Sequence, residues 1–338
     1  MKVAFFEVDE DWEKKLISEK IQGNEILIFE KPIQEVNPDE LREVEAISVF
    51  IYSECVRENL EKLPNLKFLG TRSTGYNHID LDYVREKNIA VTNVPRYGEN
   101  TVAEFALGLL LDISRKICAS VNRVKTGSFD FSGLRGFDLA HKTIGIMGFG
   151  SIGQKLAKMC KGLEMNVIAW DAFADKLGDR AAELGVTLVD QDSLFRQADV
   201  ISLHLPLLEQ TRHIINEDSV SKMKEGVILI NTARGELVET QALLNGLNTF
   251  KISAVGADVI EEENDIKEEL ELLRSGDKSS ANFKLLVANH ALINHPNALI
   301  TPHNAFNTQD ALERIMNTDL YNLNCFLHGE CCENRIGK

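Results

Sequence analysis

The chain is expected to be an α/β protein made of two parallel-sheet domains with crossover helices. Three observations predict this. Short β-branched runs alternate with helical stretches along the whole sequence, the pattern of strands joined by crossovers. The strand series pauses near residue 98 and restarts at residue 143, after one long apolar helical stretch. At 338 residues the chain is also too long for one ordinary core.

In the first series KVAFFEV, EILIFE, AISVFIY, LKFLGT and IAVTNV read as five strands, with helical stretches such as WEKKLISEK and DLDYVREKN between them. From Glu99 to about Lys125 the pattern reads as one long helix, apolar on more than one face. Such a helix is expected to be buried and to pack against a second subunit as well as its own domain. The second series is TIGIMG, NVIAWD, VTLV, DVISLHLP, GVILINT, ISAVGADV and ALITPH. Residues 261–284 are charged and strand-free and read as a surface excursion with one helix. A final helix from about Thr308 to Leu327 is expected to return to the first domain. The expected division is therefore a discontinuous domain of residues 1–98 plus 303–338, with residues 99–302 inserted within it.

Charge narrows the partners. A net charge of −15 repels phosphate backbones and anionic membranes, so neither nucleic acid nor a membrane is an expected partner. An anionic substrate would need a local cation. No apolar run is long enough to span a bilayer, and the opening MKVAFFEVDEDWEKK reads as a first strand rather than a signal peptide. None of the six cysteines forms a CxxC pair, so reduced thiols of a cytoplasmic protein are expected, and no metal site.

The stretch GIMGFGSIGQ holds Gly148, Gly150 and Gly153 in GxGxxG spacing, after a strand and at the start of a helix. Gly148 suits a tight turn, Gly150 a close approach to a pyrophosphate, and Gly153 close packing of helix on strand. The helix N-terminus at Ser151 and Ile152 offers free N–H groups to an anion. Asp171 ends the next strand, 23 residues after Gly148, where its carboxylate would accept ribose hydroxyls and repel a 2′-phosphate. The expected cofactor is NAD.

Ligands of open parallel sheets bind beyond the carboxyl ends of the strands. There the second series places His204, Leu205 and Pro206, with Thr211 beyond; then Thr232, Ala233 and Arg234; then Asp258; then Thr301, Pro302 and His303. His303 can serve as a general acid, and a carboxylate near it would raise its pKa and hold its tautomer. Glu263 is the candidate, with Glu261 and Glu262 of the same EEEN run competing. Arg234 can grip a substrate carboxylate in bidentate fashion, the local cation that the overall charge demands.

Together RSTGYNHID, NVPRYGENTVAEFAL, GIMGFGSIG, SLHLPL, INTARGELV, GADVIEEE and TPHNAF resemble the D-2-hydroxyacid dehydrogenase family over nearly the whole chain. The resemblance implies two Rossmann-like (flavodoxin-like, doubly wound) domains with a cleft between them, and a homodimer formed through the cofactor domain. It implies Arg234, Glu263 and His303 as the catalytic set, which selects Glu263 among the three glutamates. Asp258 would contact the nicotinamide carboxamide, and the backbone amides of Ser73, Thr74 and Gly75 would hold the substrate carboxylate. Tyr97 and Phe306 match substrate-pocket aromatics of the lactate and hydroxyisocaproate branch, and the 40-residue gap from Glu263 to His303 also resembles that branch. The expected reaction is reduction of pyruvate to D-lactate with NADH. The alternatives are a larger D-2-hydroxy acid as substrate, or a non-catalytic NAD-sensing protein like the corepressors of this fold.

Overall fold

The computed structural model describes residues 1–262, 280–330 and 332–336; of residues 280–283 only the backbone is described. The chain forms two compact units, Met1–Tyr97 with Thr308–Lys338, and Gly98–Asn307. His303 thus belongs to the second unit rather than to the returning segment, because its N–H donates to the Asp258 carbonyl at 2.9 Å.

The first unit has a five-stranded sheet of β1 (Lys2–Phe5), β2 (Glu25–Ile28), β3 (Ala46–Val49), β4 (Phe68–Thr71) and β5 (Ala90–Thr92) in the order β2-β1-β3-β4-β5. Its named pairs are all parallel. Helices cover both faces, so the strands read as largely apolar runs rather than alternating ones. Val3, Phe5 and Phe68 pack with Ile17 and with Met316, Leu320 and Leu323 of the helix Gln309–Leu327. Ala4, Phe6, Ile47 and Leu69 pack on the other face with Leu41, Leu60 and Tyr83. The C-terminal helix is fixed by a polar contact as well. Ser48 Oγ donates to Asp319 Oδ2 at 2.6 Å and accepts from Arg72 Nη1 at 3.0 Å. Burial pushes the Asp319 carboxyl above the usual range, against the pull of Arg72.

The second unit has a seven-stranded parallel sheet of β6 (Thr143–Met147), β7 (Asn166–Trp170), β8 (Thr187–Leu188), β9 (Val200–Leu203), β10 (Val227–Asn231), β11 (Ile252–Ala257) and β12 (Ala298–Ile300). The order is β12-β11-β10-β9-β6-β7-β8, so the direction of winding reverses between β6 and β9, the place where such sheets bind ligands. Ala103, Ala106, Leu109 and Leu110 of the helix Glu99–Arg115 pack over one face, beside Leu156, Ala157 and Cys160.

The stretch expected to be one helix is two, Glu99–Arg115 and Ile117–Lys125, broken at Lys116, which takes a left-handed φ of 57°. Asp112 stabilises the break, accepting Lys116 N–H on its carbonyl and Cys118 N–H on its carboxylate, each at 2.6 Å. Most of the expected surface excursion lies outside the described residues; a helix is present at Ser280–Ile293. Among the described residues no helix is long and apolar enough to cross a membrane, no metal-binding cluster occurs, and five cysteines are free.

Candidate functional site

The carboxyl edge of the second sheet gathers most of the candidate residues. Gly148 follows β6 with φ +95°, and a Cβ there would lie 2.5 Å from the His204 carbonyl oxygen. The first strand of the winding and the fourth therefore touch main chain to main chain at the reversal point. A Cβ on Gly153 would lie 2.2 Å from the Gly148 carbonyl, so the helix Ser151–Gly162 presses on the loop. Gly150 is different: nothing lies within 4 Å of its would-be Cβ. It caps the helix with no side chain, leaving the N–H end at Ser151 and Ile152 open to an anion.

Asp171 ends β7 and braces the same loop. Its Oδ2 accepts the Phe149 N–H and its Oδ1 the Phe173 N–H, each at 2.8 Å. Each carboxylate oxygen has a second lone pair for a ribose hydroxyl. Beyond β9, burial pushes His204 down to about 4, so its imidazole is neutral at pH 7. Its Nε2 bonds Ser202 Oγ at 2.9 Å. Leu205 is buried and Pro206 exposed. Thr211 closes the loop they begin, donating to the Pro206 carbonyl at 2.6 Å and accepting the Leu208 N–H at 2.8 Å.

After β10, Asn231 shapes the turn that presents Arg234. Its side chain accepts the Ala233 N–H at 3.0 Å and donates to the Arg234 carbonyl at 2.8 Å. The half-buried Arg234 donates to the Ala233 carbonyl at 2.6 Å and has no ion pair among the described residues.

Asp258 follows β11 and is 1% exposed. Its carboxylate accepts the Thr301 hydroxyl, the Asn304 N–H at 2.8 Å and the Ala305 N–H at 2.7 Å. It therefore shapes the turn carrying His303, which adopts a left-handed φ of 53°. The His303 ring meets Phe306 edge-on, with centroids 6.4 Å apart.

Of the three competing glutamates, Glu261 is committed elsewhere. It is buried, lies 2.5 Å from His213 Nε2, and accepts the Thr240 N–H at 2.7 Å at the start of the helix Thr240–Asn248. Glu262 is exposed, and Glu263 lies outside the described residues.

In the first unit, Ser73, Thr74 and Gly75 follow β4 at the carboxyl edge. Val94 N–H donates to the Ser73 carbonyl at 3.0 Å, Asn93 Nδ2 to the Thr74 carbonyl at 2.9 Å, and Ser73 Oγ to the Gly75 carbonyl at 2.6 Å. The N–H groups of these three residues have no acceptor among the described residues. A loop with its carbonyls committed and its amides unbonded suits an anion. Tyr97 is half-buried, and its carbonyl accepts from Arg314 Nε at 2.7 Å.

Two buried atoms at the second sheet's edge, Thr232 Oγ1 and His204 Nδ1, have no hydrogen-bond partner among the described residues. A buried polar group left unsatisfied costs about 1–3 kcal/mol, so a polar ligand is expected to bond them. A dinucleotide fits these residues: the open glycine loop and helix end for the pyrophosphate, Asp171 for the ribose, and polar atoms beyond β9 and β10.

Comparison with known proteins accords with this chemistry. Residues 107–305 match the family described as "D-isomer specific 2-hydroxyacid dehydrogenase, NAD binding domain". D-lactate dehydrogenase of Escherichia coli (strain K12) is 35% identical over 341 residues, covering 99% of this chain and all of that one. A crystal structure of the Aquifex aeolicus D-lactate dehydrogenase complexed with NAD and lactic acid superposes with a TM-score of 0.84, at 34% identity over 99% of each chain. A D-2-hydroxyisocaproate dehydrogenase structure gives 0.81, at 29% identity over 99% of each. The chain therefore belongs to the D-isomer specific 2-hydroxyacid dehydrogenases, NAD-dependent oxidoreductases that act on the CH–OH group of D-2-hydroxy acids.

Proposed function

We propose that the enzyme interconverts pyruvate and D-lactate, with His303 as acid–base. The observation that carries this reading is Arg234, a cation with no ion pair among the described residues, on the same sheet edge as His303. NADH, when bound, supplies the hydride. His303 gives its proton to the substrate's carbonyl oxygen and takes it back in the reverse direction. Arg234 holds the substrate carboxylate and polarises the neighbouring carbonyl, and the unbonded amides of Ser73–Gly75 are the first unit's candidate donors to a carboxylate. Glu263 is the proposed carboxylate partner of the His303 imidazole, Asp258 the proposed contact of the carboxamide, and Phe306 and Tyr97 the proposed substrate-binding aromatics.

The test is a panel of pyruvate, phenylpyruvate, 2-ketoisocaproate, glyoxylate and hydroxypyruvate with NADH. Pyruvate is expected to give the highest kcat/KM. Preference for 2-ketoisocaproate, by the roughly 10–200-fold that a fitted pocket can supply, would establish the larger-acid reading instead. The similarity to the hydroxyisocaproate enzyme favours that second reading. No turnover of any acid would leave the NAD-sensing alternative.

The same proposal includes a homodimer in the cytoplasm. Ile117, Val121 and Val124 lie exposed at helical spacing, and Phe129 and Phe131 are each 84% exposed. An apolar patch of this kind marks an interface. Sedimentation is expected to give two chains per particle, and Val121→Asp to shift the population toward one; an unshifted particle would place the interface elsewhere.

A further inference from the structure

A one-way chain of hydrogen bonds runs beneath the Ser73–Gly75 loop, and proton counting fixes its direction. Ser73 Oγ donates to the Gly75 carbonyl at 2.6 Å. A hydroxyl has one proton, so in the 2.7 Å bond between Thr71 Oγ1 and Ser73 Oγ the donor is Thr71. That uses the only Thr71 proton. In the 3.1 Å bond between Thr71 Oγ1 and His78 Nε2, Thr71 is therefore the acceptor and the imidazole the donor. The chain reads His78 Nε2–H to Thr71, Thr71 to Ser73, Ser73 to the Gly75 carbonyl.

The middle of the chain is buried. Thr71 is fully buried and Ser73 is 5% exposed. The His78 carbonyl accepts the Cys55 N–H at 2.9 Å, which holds the histidine's own main chain. Burial alone pushes His78 down to about 4, so the ring is neutral at pH 7 and carries one proton. The Thr74 hydroxyl is turned to the Val94 carbonyl at 2.8 Å. Neither loop hydroxyl has a proton left for a ligand, so the donors that remain on the loop are its amide N–H groups.

We infer that His78 is a positioning residue: by donating the first bond of this chain it holds the Ser73–Gly75 loop with its carbonyls committed and its amides available to the substrate carboxylate. The inference rests on the proposed role of that loop. His78 touches no reacting atom; it acts through Thr71 and Ser73. Bonds in such a chain polarise one another, so loss of the first weakens those after it.

Two measurements test it. The first uses His78→Phe and Thr71→Val, which break the chain at different links, and His78→Gln, whose side-chain amide can still donate. With the keto acid that the unaltered enzyme prefers, the two breaking variants are expected to raise KM about ten-fold, the worth of one hydrogen bond. Saturated kcat and the KM for NADH should stay within about two-fold, and His78→Gln should recover most of the loss. An unchanged keto-acid KM in both breaking variants, or an equal loss in kcat and NADH binding, overturns the inference. The second measurement needs no activity: nitrogen-15 spectra of histidine-labelled enzyme at pH 7 should show His78 as the neutral Nε2–H tautomer. The Nδ1–H tautomer or a charged ring would overturn the chain. Failure of the unaltered enzyme to reduce any keto acid would sink the proposed function, and the tautomer would still decide the chain.

Discussion

Replacing His303 with alanine is expected to lower kcat by about 10²–10⁴, the usual contribution of a positioned acid–base group, while NADH still binds. The variant isolates the imidazole because the turn around it is held by other atoms. Asp258 grips Thr301 Oγ1 and the N–H groups of Asn304 and Ala305, and the Asp258 carbonyl accepts the His303 N–H. All four bonds survive the substitution. Alanine also keeps a Cβ, so the left-handed backbone at this position costs about the same, on the order of 1–2 kcal/mol, in both proteins. A thermal melt should therefore move little. Steady-state rates with pyruvate, alongside NADH binding followed by fluorescence, make the check. Turnover near that of the unaltered enzyme would remove His303 from the mechanism, and loss of NADH binding would reassign it to the cofactor.

The strands were the most legible part of the sequence, for a physical reason. Strands buried on both faces are apolar at nearly every position, so VAFF and VILI read as continuous runs, and all twelve expected runs contain a described strand. The glycine spacing was legible because close approach leaves no alternative residue: at Gly148 and Gly153 a single carbon would overlap backbone oxygen. The break at Lys116 was not legible. Lysine is an ordinary helix former, and the left-handed turn depends on Asp112 reaching forward to Cys118, a pairing that periodicity does not reveal.

The candidate site was legible by residue type and less so by role. For Asp258 the sequence suggested a contact with the nicotinamide but not its second task, holding the turn of His303 through three accepted bonds. Only the fold brings Thr301 and Asn304, more than forty residues on, back to it. Glu261 looked like one member of a solvated acidic run. Its commitment to His213 and Thr240 depends on a loop and a helix start, each more than twenty residues upstream. His78 gave no signal beyond its place in RSTGYNHID. The hint was there in Thr71 at the end of a strand and Ser73 and His78 in the turn after it, a density of polar groups that a buried segment must pair off.

The other large effect is expected at Arg234. Changing it to alanine should lower kcat/KM for pyruvate by roughly 30- to 5,000-fold, the 2–5 kcal/mol that follows loss of one partner of a hydrogen-bonded charge pair. The turn should persist, because Asn231 holds it through the Arg234 carbonyl and the Ala233 N–H, both main chain. No carboxylate of the described protein is left unpaired, since the guanidinium bonds only its neighbour's carbonyl. The loss should therefore fall on substrate charge and not on stability. Arg234→Lys keeps the charge and loses the planar fork, so it should sit between the two. The decisive comparison is pyruvate against its methyl ester. The unaltered enzyme should prefer the acid strongly, because in a protein of net charge −15 only a local cation makes an anion welcome. In Arg234→Ala that preference should collapse. A preference that survives intact would mean that the carboxylate is gripped by another group, and the amides of Ser73–Gly75 would then have to carry the anion alone.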